Sequence, residues 1–203
     1  MSDNTKGMAS FFRNRSVLAI TRAALIAALY VVLTLPFAIF SYGALQVRLA
    51  EVLTILPYFW PEAIAGVTVG CLLANMIGSP FGLVDWVLGT LATFLAALLT
   101  YALSKYKNIF IAAIPPVVIN ALIVGFYVSV LAGFFGLPTP MPTGVDGFST
   151  IISGFEIKAY LSTAAWVGIG QIIAVYGLGI VLYYGLKKFG FINDKLQLTL
   201  GNQ

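Results

Sequence analysis

Gln46-Val47-Arg48-Leu49-Ala50-Glu51-Val52-Leu53-Thr54-Ile55-Leu56-Pro57-Tyr58-Phe59-Trp60-Pro61 is the stretch that decides how this chain folds. Two opposite charges stand three residues apart, and an uncharged run, 52–61, follows them. That run is too short to cross a hydrocarbon core by itself, because an α-helix needs about 20 apolar residues to do so. Five other charge-free runs, 23–47, 63–84, 86–104, 108–145 and 159–186, are long enough. The basic residues between them cluster at Arg13/Arg15/Arg22, Lys105/Lys107 and Lys187/Lys188/Lys195. Clusters of this kind stay on the cytoplasmic side of a membrane. Two long runs separate the second cluster from the third, and three separate the first from the second. All three clusters share one side only if 48–60 also crosses. It does so as a short helix that carries Arg48 and Glu51 into the protein interior.

The composition agrees. Of 203 residues, 60% are hydrophobic and 9% charged, against about 45–50% and about 25% in a soluble domain. The pattern is too apolar for disorder and too aperiodic for a coiled coil. We therefore expect an all-α integral membrane bundle of six helices with both termini cytoplasmic and a short second helix. The expected spans are 16–40, 48–59, 62–79, 85–104, 109–135 and 159–186. Residues 1–15 and 189–203 are expected to be cytoplasmic tails around a single transmembrane domain, 16–188. The uncharged run after Arg22 is longer than the 7–15 residues of a signal h-region, so it is read as a retained helix. Leu137–Lys158, with Pro138, Pro140, Pro142, Gly144 and Gly147, is expected to be an outside loop long enough to be functional.

Several chemistries are excluded. The chain has no histidine, which removes imidazole acid–base catalysis, histidine zinc sites and Ser-His-Asp or Cys-His nucleophiles. The lone cysteine, Cys71, makes no intramolecular disulfide and reads as a small buried hydrophobe. There is no GxxxxGK[ST] loop, so the chain has no P-loop of its own. The basic residues form no stripe, which argues against nucleic acid despite a net charge of +4. No cofactor and no metal site is expected.

Ionisable residues inside a membrane protein are costly, so each suggests a function. Arg48 and Glu51, at i and i+3, read either as a self-neutralising pair or as groups facing an outside-opening cavity. Asp85 reads as an N-cap or as a member of the same cavity. Glu62, after Pro61, reads as a helix-dipole complement or partner contact at the inner end. Asn75, Asn120 and Gln171 are buried amides that need partners. With Trp166 they outline one polar site opening outward, bounded by loops 41–47, 80–85 and 137–158. Tyr42, Tyr58, Trp60 and Tyr160 read as interfacial belt residues. Ala23, Ala24, Ala27 and Ala28 form two overlapping Ala-xxx-Ala pairs, suited either to internal packing or to docking a partner helix.

The block 46–57, with Pro61-Glu62-Ala63-Ile64-Ala65-Gly66, Gly70-Cys71-Leu72-Leu73-Ala74-Asn75 and Gly78-Ser79-Pro80-Phe81-Gly82-Leu83-Val84-Asp85, resembles the QueT family of queuosine-precursor transporters. Members are substrate-binding S components of energy-coupling-factor (ECF) transporters. The resemblance covers roughly 16–188. It implies a six-helix S component with cytoplasmic termini that binds a micronutrient near the outer face. It also implies partnership with a transmembrane coupling protein and two ATPases, docked on Ala23, Ala24, Ala27 and Ala28. The implied ligand is a 7-deazaguanine, most plainly the 7-aminomethyl form. Arg48, Glu51, Asn75, Asp85, Asn120, Trp166 and Gln171 offer acids for its base edge and its cation, donors for its carbonyl, and an aromatic face. Competing readings are an S component for riboflavin or folate, an intramembrane enzyme, or a self-contained secondary transporter. The last should show internal repeats, and none is visible.

Overall fold

The computed structural model describes residues 2–42, 47–135 and 157–190, and the side chains of 16–42, 47–131 and 157–190. The first helix, α1 (Ser2–Thr34), takes in residues 2–15 as helix. It ends six residues before the expected position 40. Pro36 is the cause, because a proline disfavours the helical region for the residue before it. A single turn, α2 (Ala38–Ser41), follows. Loop residues 43–46, most of the long loop (136–156) and the C-terminal residues 191–203 lie outside the described residues.

The second expected helix exists but is not an α-helix. Leu49–Tyr58 is a 3-10 helix of ten residues. At about 2.0 Å rise per residue it reaches about 20 Å, where an α-helix of that length reaches about 15 Å. Tighter winding lets a short segment span much of the bundle. It is also a buried segment: Ala50, Glu51 and Leu53 through Tyr58 are all buried. It packs against α1, against α3 (Glu62–Gly78), against α4 (Thr90–Leu103) and against a later wide-turn stretch.

The remaining elements follow their punctuation. Pro61 immediately precedes α3, where a missing N–H costs nothing. Ser79 is extended ahead of Pro80, and Gly82 takes a φ of +57° in the turn that follows. A π-helical turn, Asp85–Gly89, leads directly into α4. Asn108 caps α5 (Ile109–Ala112), accepting from the backbone N–H of Phe110 and Ile111. Then come α6 (Ile114–Phe135) and α7 (Ile157–Gln171), a second π stretch (Ile172–Gly179), and α8 (Ile180–Lys188). No strand occurs among the described residues.

Four segments are long and apolar enough to cross a membrane: Ser16–Thr34, Asp85–Tyr106, Ile109–Leu131 and Ile157–Lys188. Leu49–Tyr58 and Glu62–Gly78 are shorter apolar helices. The surface is that of a protein in lipid. Ile39, Val181 and Ile77 are 86%, 67% and 66% exposed, while Arg48, Glu51, Asp85, Asn75 and Asn120 are buried. Polar groups inside and hydrocarbon outside invert the distribution of a soluble domain.

Two glycines let α1 and α3 meet backbone to backbone. A Cβ at Gly66 would stand 2.8 Å from the carbonyl oxygen of Ala23, and one at Gly70 would stand 2.6 Å from Cβ of Tyr30. Small residues four apart permit this approach. Ala23 and Ala27 are on the packed side, since Gly70 also meets the backbone of Ala27, which is 7% exposed. Ala24 and Ala28 are exposed. The four alanines expected to act together are therefore divided: Ala23 and Ala27 pack inside, and only Ala24 and Ala28 are free for another helix. At the Glu62 end of α3, Arg22 Nη1 donates to Glu62 Oε1 at 3.0 Å and its guanidinium lies 5.1 Å from the Trp60 ring centroid. Trp60 and Glu62 thus tie α1 to the start of α3.

Replacing Gly70 with valine should destabilise the bundle by about 1–3 kcal/mol through overpacking. The check is unfolding of the purified protein in detergent micelles; an unchanged midpoint would show that α1 and α3 do not pack this closely.

Candidate binding site

Two segments with irregular helical winding carry the buried acids, inside the bundle and away from the Arg22–Glu62 contact, and a third follows Gln171. Arg48 precedes the 3-10 helix in an extended conformation. In a 3-10 helix residues at i and i+3 eclipse one another, so Glu51 and Thr54 fall on one edge. The Thr54 hydroxyl donates to the Glu51 carbonyl at 2.6 Å. Asp85 opens the π turn before α4, and Gln171 stands immediately before the second π stretch.

Of the two readings of Arg48 and Glu51, the local ion pair is not formed. Because Arg48 lies outside the helix proper, its guanidinium turns to the neighbouring chain segments. Nη2 stands 3.8 Å from Asp85 Oδ2, Nη1 donates to Cys71 Sγ at 3.5 Å, and the guanidinium carbon lies 5.0 Å from the Tyr42 ring centroid. Glu51 is held instead by two neutral donors. Tyr30 donates its hydroxyl to Oε1 at 2.7 Å, and Asn120 Nδ2 donates to Oε2 at 3.3 Å. Nor is Asp85 an N-cap. Val84 holds the N-cap position, and the backbone is already helical there. Asp85 Oδ1 accepts a short hydrogen bond from the Tyr127 hydroxyl. Its Oδ2 is buried without a hydrogen-bond partner.

Asn75 ties α3 to Tyr42 and to the turn that carries Asp85. Its Nδ2 donates to the Asp85 carbonyl at 3.0 Å and to Cys71 Sγ at 3.5 Å. Its Oδ1 accepts from the Tyr42 hydroxyl at 3.3 Å, and its carbonyl accepts from Trp86 Nε1 at 3.0 Å. Thr93 donates to Cys71 Sγ at 3.2 Å. Gly89 has to be glycine, because an added Cβ would strike the Asp85 carboxylate and come within 3.0 Å of Asn75 Nδ2 and 3.1 Å of the Tyr127 hydroxyl.

Five of the seven candidates therefore fall in two adjoining bonded groups, Glu51 with Asn120 and Tyr30, and Arg48 with Asn75 and Asp85. The charges of Arg48 and Asp85 act on Glu51 across the gap between them, so that the two groups make one electrostatic network. Gln171 is buried, and its Oε1 has no hydrogen-bond partner. Trp166 departs from expectation. It is 48% exposed and lies outside the network, while its neighbour Val167 supplies the buried position. Gln46 and most of loop 137–158 fall outside the described residues. Sequence reasoning passed over Tyr30, Tyr127 and Cys71, and it assigned Tyr42 to an interface. The legible signal was depth. Tyr30 sits well inside a span, away from the interfaces where tyrosine normally collects, and Cys71 is one helical turn before Asn75.

The sequence model of the family described as QueT transporter matches residues 20–188. The chain belongs to the QueT transporter family. Membership of this family places the chain in the cell membrane, which agrees with its apolar helices. A curated QueT-family relative, the queuosine precursor transporter QueT of Lactococcus lactis subsp. cremoris (strain MG1363), is 38% identical over 76 residues. That match covers 36% of this chain and 44% of the relative, so it spans less than half of the relative's length. No solved structure matches the chain. The QueT family match contains the entire network, from Tyr30 to Tyr127, and Gln171 beyond it.

Removing the Tyr30 hydroxyl should leave a buried carboxylate oxygen short of a donor. Tyr30→Phe is expected to cost about 1–3 kcal/mol of stability in micelles. In a Glu51→Gln background the same change should cost clearly less, because the two groups form one interacting unit. Equal costs in both backgrounds would show that the pair is not coupled.

Proposed function

We propose that this QueT-family chain is the S component of an ECF transporter and captures a queuosine precursor, a 7-deazaguanine most plainly in its 7-aminomethyl form. In this reading both termini are cytoplasmic and the polar network lies toward the outer face. A coupling protein and two ATPases supply the energy, consistent with a sequence that has no P-loop.

The observation that carries the reading is the gathering of two buried carboxyl groups with one guanidinium and two amides in adjoining, electrostatically coupled groups. Ionisable groups buried within a membrane domain are costly and point to function by default. A guanine-like edge presents N1–H and an exocyclic amino group side by side. Glu51 accepts one donor on each oxygen, and a carboxylate has about four acceptor positions. One position on each oxygen therefore remains for those two parallel donors. Arg48, Tyr42 and the amides offer stacking surface and donors for the rest of a flat heterocycle. The relative's printed name, queuosine precursor transporter, supports the same ligand class.

The docking surface in this reading is the exposed pair Ala24 and Ala28, with Ala23 and Ala27 serving the internal contact to α3. Calorimetry with the purified chain should show binding of 7-aminomethyl-7-deazaguanine. Absence of binding to every deazaguanine, with riboflavin or folate binding instead, would overturn the ligand. Ala24→Leu and Ala28→Leu should cut uptake in cells by about tenfold or more while leaving binding by the purified chain nearly unchanged. An equal loss of binding would remove the docking role.

A further inference from the structure

The two carboxyl groups differ in what they still lack. Glu51 has a neutral donor on each oxygen: the Tyr30 hydroxyl at 2.7 Å and Asn120 Nδ2 at 3.3 Å. Asp85 is satisfied on one side only. Its Oδ1 accepts from Tyr127, whereas Oδ2 is buried with no hydrogen-bond partner. Arg48 Nη2, at 3.8 Å, is beyond hydrogen-bonding distance from it. Asp85 is 1% exposed, so bulk water does not make up the deficit. Nearly all buried polar atoms are satisfied in folded proteins, and an exception calls for an explanation.

The charges point the same way. The groups facing this network are Tyr30 from α1, Tyr42, Arg48, Glu51, Cys71 from α3, Asp85, and Asn120 and Tyr127 from α6. With both acids ionised, they carry two negative charges and one positive. One further positive charge makes the network neutral, and a buried carboxylate oxygen is best met by a charged donor. Arg48 is already counted as the one positive charge, and its guanidinium donates to Cys71 Sγ and lies over the Tyr42 ring without hydrogen-bonding Oδ2.

We infer that Asp85 Oδ2 seats the positively charged substituent of the ligand and is the residue that discriminates a cationic deazaguanine from a neutral one. Glu51 reads the base edge. The inference rests on the proposed function, and it divides the work between two acids that the sequence leaves equivalent.

The test uses the purified full-length chain in micelles and two ligands of nearly equal shape, the cationic 7-aminomethyl-7-deazaguanine and the neutral 7-cyano-7-deazaguanine. Affinities are measured by calorimetry for the wild type, Asp85→Asn, Asp85→Glu and Glu51→Gln. The wild type should prefer the cation by about thirtyfold or more, the scale of one buried charge pair. Asp85→Asn should collapse that ratio to within about threefold, and Asp85→Glu should keep a preference for the cation. Glu51→Gln should weaken both ligands and leave the ratio standing. A wild type that binds both ligands equally overturns the inference while leaving the deazaguanine reading intact. So does an Asp85→Asn protein that keeps the full ratio or loses both ligands equally. A wild type that binds neither ligand overturns the deazaguanine reading itself, and this assignment falls with it.

Discussion

A charge inside a bilayer has to find its counter-charge within the protein, and the long contact between Arg48 and Asp85 meets that demand in part, with charge attraction but no hydrogen bond. The two residues are 37 positions apart in sequence. To bring them together, α3 must carry Asn75 and Cys71 alongside, the turn at Pro80 and Gly82 must reverse the chain, and Gly89 must leave room for a carboxylate. The apolar exterior is generic by comparison. Leu25, Val32 and Ile77 face lipid, where any residue of similar hydropathy would serve.

The irregular backbone follows from the same demand. Arg48, Glu51 and Asp85 all lie in or beside segments that depart from α-helical winding, and Gln171 borders another. A regular α-helix satisfies its own backbone and presents side chains at fixed steps of 3.6 residues per turn. Tighter or wider turns change which side chains share an edge, and such departures are common at functional sites. Here they aim several scarce polar groups at one place.

The gross architecture was legible because it rests on hydrophobicity and charge bias, which are additive along the chain. The helices at 62–78 and 109–135 lie close to where composition puts them. The polar residues of the network were legible individually, as costly exceptions in apolar runs. Their partners were not. Whether Arg48 pairs with Glu51 or with Asp85 depends on whether residue 48 lies inside a helix, and its extended backbone settles the matter against the local pair. Tyr30 and Tyr127 were hidden because tyrosine near lipid is usually interfacial. Ala23 and Ala24 differ by one position and face opposite environments, a division fixed by the glycines of another helix, Gly66 and Gly70. Trp166 shows the converse: an aromatic at suitable depth took no part, because depth along a helix does not determine which way a side chain faces.

The ten-residue 3-10 helix carries a last consequence. With three residues per turn, each residue advances the edge by about 120°. Glu51, Thr54 and Pro57 repeat along one edge, with Val52, Ile55 and Tyr58 on the next and Leu53 and Leu56 on the third. Inserting or deleting one residue between Arg48 and Glu51 would rotate an aliphatic edge into the place of the acid and turn Glu51 into the packed core. Exchanging one aliphatic residue for another within the segment disturbs far less. The segment is thus tolerant of spelling and intolerant of length.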